Sequence, residues 1–180
     1  MITVGVEITG MSDAMARLAG ADARTRNLQP AFEVIADLLE LHVGNTFATQ
    51  GAAINRPWAP LRTRTVDARA RRWGYYGHQP VSGVHHLGPI LVWTGRTRDS
   101  FRHGYPEHVR VVSSATLIWG SSRAIAQYHQ RGGVVLPQRT ILGFRDDFQK
   151  QELIYQPLKL YLQGVPPGAI RTLMQARLRF

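Results

Sequence analysis

Between Ile125 and Gly143 the chain reads Ile-Ala-Gln-Tyr-His-Gln-Arg-Gly-Gly, two valines, then Leu-Pro-Gln-Arg-Thr-Ile-Leu-Gly. Few backbones satisfy that order. A short helix-like run closes on Gly132 and Gly133, where glycine supplies a left-handed cap that other residues adopt only at a cost. Pro137 then ends any strand or opens the next turn. His129, Gln130, Arg139 and Gly143 complete the segment. These residue types read as a fold framework rather than a reaction centre.

The remaining segments supply what such a framework packs against. Ile2, Val4, Val6 and Ile8 alternate with polar residues and glycine, the period of a short half-buried strand that Gly10 ends. Ser12 and Asp13 start a helix with Met15, Leu18 and Ala19 on one face, running to about Asn27. Pro30 suits the first turn of a longer helix. In it Phe32, Ile35, Leu39, Val43 and Phe47 recur every three or four residues, and Glu33, Asp37, Glu40 and His42 fall elsewhere on the wheel. That is the main amphipathic core element. Its acidic strip reads as a solvated face, with contact to an arginine-rich neighbour as the alternative.

From 51 to 89 the composition shifts to Gly, Pro, His and Arg, an extended loop region. Arg56, Arg62, Arg64, Arg69, Arg71 and Arg72 lie there against the single acid Asp67, with Trp58, Trp73, Tyr75 and Tyr76 interspersed. A short helix from Thr63 to Trp73 would carry several of the arginines outward. Tryptophan, tyrosine and arginine are the residues that anchor protein interfaces, so an inter-subunit contact is expected here. Stacking and phosphate contact with single-stranded nucleic acid is the alternative.

Further on, Thr94 can cap a short helix whose Ser100 and Phe101 point back to a sheet. Val109 and Val111, then Ala115, Leu117 and Trp119, alternate around Ser113-Ser114 as a β-hairpin. Asp146-Asp147 reads as the N-terminal cap of a helix with Phe148, Leu153, Ile154, Leu158, Tyr161 and Leu162 on its apolar side. Pro157 must kink or restart that helix. Residues 164–168 form a linker, and Ile170, Leu173, Met174 and Leu178 mark a basic tail helix carrying Arg171, Arg177 and Arg179. The expected architecture is therefore α+β. An antiparallel sheet packs on the long N-terminal amphipathic helix in one domain over 1–163, with linker and tail over 164–180.

Function classes can be struck off directly. Without cysteine there are no disulfides, thiolate metal sites or Cys nucleophile. No apolar run approaches the ~20 residues needed to span a bilayer, and the first residues lack a signal-peptide pattern; no membrane partner is expected. His78, His85, His86, His103 and His108 match neither H-E-x-x-H nor H-x-E spacing. No G-x-S-x-G elbow or phosphate-binding G-x-x-x-x-G-K-[ST] loop occurs. The expectation is a non-enzyme with no catalytic residues, no metal and no cofactor. The net charge of +10, carried by twenty arginines and only Lys150 and Lys159, favours polyanionic or acidic partners.

Three blocks together carry a likeness. The 125–143 segment resembles the Y-A-x-x-H-Q-x-G-G … P-A-R-x-x-L-G signature of the phage virion-morphogenesis (tail-completion) family. Ile125 replaces its usual Tyr and Gln138 its usual Ala. Pro57-Trp58-Ala59-Pro60-Leu61 with Thr65 resembles its W-x-P-L-x-x-x-T element. Ile90 to Phe101, with Thr94, Gly95 and Ser100, resembles I-L-x-x-T-G-x-L-x-x-S-I, although Thr97 stands in place of Leu. The resemblance spans roughly Trp58 to Leu162. It implies a structural virion protein at the head–tail junction, a neck or tail-completion component assembled in the host cytoplasm. It also implies a homo-oligomeric ring, by family expectation a hexamer. Neighbours would be head-completion or connector proteins and tail-terminator or tail-tube proteins, with DNA passing through the lumen. The alternative is a basic DNA-binding accessory protein.

Overall fold

A computed structural model describes residues 11–75, 90–92, 94–133 and 136–178. The strand expected over Ile2–Ile8, the loop from Tyr76 to Pro89 and Val134-Val135 lie outside them. The architecture is α+β. In chain order it comprises α1 (Met11–Arg26), α2 (Gln29–Ala48), a 3₁₀ turn (Ala52–Ile54), α3 (Thr63–Tyr75), α4 (Arg96–Asp99), the strands β1 (His108–Val112) and β2 (Leu117–Ser121), α5 (Ala124–Arg131), α6 (Asp147–Lys150), a π turn (Gln151–Tyr155), α7 (Gln156–Leu162) and α8 (Pro167–Leu178). No described helix is long and apolar enough to cross a membrane.

α2 is the axis. Pro30 sits in its first turn, where a missing N–H costs nothing. Its N-terminal half buries Ala31, Val34 and Leu38 against Leu153, Tyr161, Ile170 and Met174. Its C-terminal half buries Val43 and Phe47 against Trp58, Ile90, Phe101, Ala126 and Ile141. Burial therefore extends further round α2 than the expected stripe. His42, assigned to the polar side, is buried as well.

The hairpin packs on α2 with Arg110 paired to Trp119 and Val111 to Ile118. Side chains alternate across a strand. Trp119 thus turns inward, its ring 6.0 Å from that of Phe101, while Val111 and Ile118 stay exposed on the other face. The Leu28 N–H donates to the Ser114 carbonyl at 2.8 Å, tying the α1–α2 junction to the hairpin turn. Ser121 Oγ donates to Ser100 Oγ at 2.8 Å. Ser100 and Phe101 do therefore face the sheet.

Three expectations are corrected. The cap of α4 is Gly95, not Thr94; the threonine is exposed and no side-chain cap bond is made. Phe148 does not join the apolar side of its helix and is 63% exposed. Residues Gln149, Leu153, Pro157 and Tyr161, each four apart, are the buried ones. In a regular α-helix a four-residue step overshoots one turn by about 40°. The wider π turn advances less per residue and cancels part of that drift, so the four remain aligned. Finally, the expected linker and tail belong to the core. Ile170 and Met174 are fully buried against α2, and the Val165 N–H donates to the Leu160 carbonyl at 3.0 Å.

Candidate functional site

The chain from Gln138 to Gly143 has no regular structure, so its backbone groups need partners from elsewhere. Gln130, on the last turn of α5, supplies most of them. Its Oε1 accepts from the Ile141 N–H at 2.7 Å and the Leu142 N–H at 2.9 Å, while Nε2 donates to the Leu142 carbonyl at 2.7 Å. One amide side chain thereby acts as a two-sided strand mimic. Gln138 Nε2 donates back to the Gln130 carbonyl at 3.0 Å, and the Arg139 N–H donates to the His129 carbonyl at 2.7 Å.

The loop is gripped from two further directions. Trp58 Nε1 donates to the Thr140 carbonyl at 2.8 Å, and Arg139 donates through Nε and Nη2 to the Ala59 carbonyl at 3.3 and 3.1 Å. From α2, His42 Nε2 donates to the Gly143 carbonyl at 2.8 Å, with its ring stacked 5.6 Å from Phe144. Because a carbonyl only accepts, this bond selects the neutral Nε2–H tautomer. Burial lowers the His42 pKa, and the Gly143 bond offsets only part of that.

Two glycines make the closure feasible. Gly132 caps α5 at φ 72°, ψ −177°, a region essentially reserved for glycine. A Cβ there would also lie 2.9 Å from Gln138 Cβ. Gly133 has neither constraint. Gly51, at φ 86°, was not singled out by sequence; a Cβ would meet the Arg56 carbonyl at 2.2 Å and the Trp58 ring at 2.6 Å. Its neighbourhood gave no motif, only the buried tryptophan seven residues later.

The residues expected at a contact surface divide. Trp58 is buried, edge-on to Phe47 at 5.3 Å, and so belongs to the subunit's own core. Arg69 is buried as well. Arg62 and Arg64 are exposed at the start of α3, whose backbone continues through Arg71, Arg72, Trp73 and Tyr75. Tyr76 and Arg179 lie outside the described residues. Arg171 pairs with Asp37 at 2.5 Å and Arg177 with Glu152 at 3.0 Å. Pro137 is half-buried beside the framework loop.

Acids are consumed internally. Arg110 bridges Glu33 and Asp37, the latter at 2.7 Å, and the His103 N–H donates to Glu40. The acidic strip of α2 is thus neither solvated nor left for a neighbour. Burial opposes the charge of Arg110, but the two carboxylates more than compensate and raise its pKa. Asp22, Asp99, Glu107 and Asp146 each pair with arginine, and Asp67 is engaged too. By contrast, exposed Arg56, Arg62, Arg64 and Arg131 form no ion pair among the described residues. Burial lowers the pKa of Arg139, and the neighbouring Arg69 charge lowers it further. His129 is likewise lowered by burial and then by Arg139.

Chemically, this arrangement holds a backbone in place. Its histidines are neutral and buried, and among the described residues no group of His, Asp and Glu has the spacing to hold a metal ion. Comparison with known proteins agrees with that character: the model of the phage virion morphogenesis family matches residues 6–159. No curated protein and no solved structure matches the chain.

Proposed function

Because the chain belongs to the phage virion morphogenesis family, we propose that it is a structural subunit of the head–tail junction. In this reading it forms a homo-oligomeric ring, a hexamer, that completes the tail or joins it to the head. One side meets head-completion or connector proteins and the other tail-terminator or tail-tube proteins. The family match over 6–159 carries the reading, since a structural and assembly role in the virion is the family's character.

The subunit's physics supports it. The polar groups around Gln130 are spent on fixing backbone, which leaves them nothing to do in turnover. Apolar side chains remain uncovered on separate elements: Met15 and Leu18 on α1 at 64% and 70% exposure, Ile125 and Tyr128 on α5, and the Val111–Ile118 pair on the hairpin. Exposed apolar surface of this kind marks partner sites. Different surfaces on one subunit meeting head to tail close a ring when the rotation permits.

The test has two parts. The purified full-length protein, examined by light scattering and negative-stain microscopy in high salt, is expected to form closed rings. Added to a lysate of a phage lacking it, where heads and tails accumulate separately, it is expected to restore joined particles. A protein that stays monomeric at every concentration and restores nothing would overturn the proposal.

A further inference from the structure

The end of the molecule around Ala59 holds a surplus of positive charge that nothing in the chain answers. Arg56, Arg62 and Arg64 lie within five residues of Ala59, whose carbonyl accepts from Arg139. Arg139 in turn joins the carbonyl of His129, two residues before exposed Arg131. Arg69 lies near enough to depress Arg139 electrostatically. The one acid in this neighbourhood, Asp67, is already engaged.

We infer that this cationic end contacts the phosphate backbone of duplex DNA without reading its sequence. A second copy of the chain is a poor partner for these arginines. Asp22, Glu33, Asp37, Glu40, Asp99, Glu107, Asp146 and Glu152 are all hydrogen-bonded or ion-paired within their own subunit. Freeing one to serve a neighbour would break an existing pair and leave its arginine unanswered. The counter-charge must therefore come from outside the assembly. Guanidinium groups match phosphate through forked, charge-assisted bonds, and phosphate contacts position a duplex while carrying no sequence information. This inference concerns a single subunit and does not depend on ring formation.

The experiment measures binding of the full-length protein to a short, labelled, random-sequence duplex by fluorescence anisotropy across a salt series. The variant R56Q/R62Q/R64Q removes three exposed charges that hold no structure. Its affinity is expected to fall on the order of 10²-fold at about 0.1 M salt, and its salt slope to shrink by about 2–3. The matched control R26Q/R102Q/R177Q removes equal charge from arginines already facing Asp22, Asp99 and Glu152. It is expected to keep the parental slope and most of the affinity. Equal losses in both variants would reduce the effect to net charge and overturn the inference. So would a parent that does not bind duplex at low salt, tighter binding to single strands than to duplex, or a polyglutamate that competes as well as DNA at matched charge.

Discussion

Replacing Gln130 by alanine removes three hydrogen bonds without altering the helix that bears them. The partners are unequal. Ile141 is 1% exposed, so its N–H finds no water when the Gln130 Oε1 is gone, and such an orphan costs about 1–3 kcal/mol. Leu142 is partly exposed; its N–H and carbonyl regain water, and each lost bond costs about 0.5–1 kcal/mol. The sum, about 2–4 kcal/mol, corresponds to a melting point lowered by roughly 5–15 °C for a chain of this size. Gln130→Glu separates the two sides of the amide. The carboxylate still accepts from both N–H groups but cannot donate to the Leu142 carbonyl, so it is expected to cost less than alanine. Gln127→Ala, on the exposed side of the same helix, is the control and is expected to be near neutral. Thermal and urea unfolding give the energies, and hydrogen exchange at Ile141 reports the orphaned amide directly. If Gln130→Ala melts within a degree of the parent and Ile141 stays protected, the loop is held by packing alone and the reasoning fails.

Three further outcomes are expected. Gly132→Ala is strained by its positive φ and its approach to Gln138, and should lose about 1–3 kcal/mol, while Gly133→Ala should melt close to the parent; equal behaviour of the two would refute the cap. His42 and His129 have folded-state pKa values lowered by burial, so the unfolded chain binds more protons below its own value of about 6.5. Stability from these residues is therefore complete above that pH and is lost as pH falls toward the folded values, by at most about 1.4 kcal/mol per unit for each. His42→Gln, which keeps an N–H donor for Gly143, should flatten the acid limb of a melting-versus-pH curve; an unchanged limb would remove His42 from the account. Ile170→Ala should cost about 2–5 kcal/mol, because α8 is core; a variant that melts like the parent would restore the detachable tail.

Much of the architecture was legible because it depends on local chemistry. Asp146 caps its helix by accepting from the Gln149 N–H at 2.7 Å, Pro30 opens α2, and the hairpin follows its β-branched alternation. What the sequence hid was long-range. His42 looks polar on a helical wheel, and only Gly143, a hundred and one residues away, makes its burial tolerable. Trp58 looks like an exposed anchor until Phe47, Gly51 and Thr140 enclose it. The tail helix is amphipathic in either role, and the partner of its apolar side, α2, carries no mark in the sequence that announces it. At the framework itself, glycine and proline were readable from backbone rules, whereas Gln130 became the keystone only once the loop lay beside it.

The π turn before Pro157 turns chain length into information. Deleting any one of Gln151–Tyr155 would permit an ordinary α-helix from Asp146 onward, and by local criteria that helix would be the better one. It would also rotate everything beyond by about 100° relative to α6. Pro157 and Tyr161 would leave α2, and the Tyr161 hydroxyl would lose the Asn27 carbonyl that it meets at 2.8 Å. α8, which packs on both α2 and α7, would have no seat. Descendants of this sequence can therefore exchange side chains along this helix far more freely than they can change its number of residues, and a one-residue gap here should be rarer than almost any substitution.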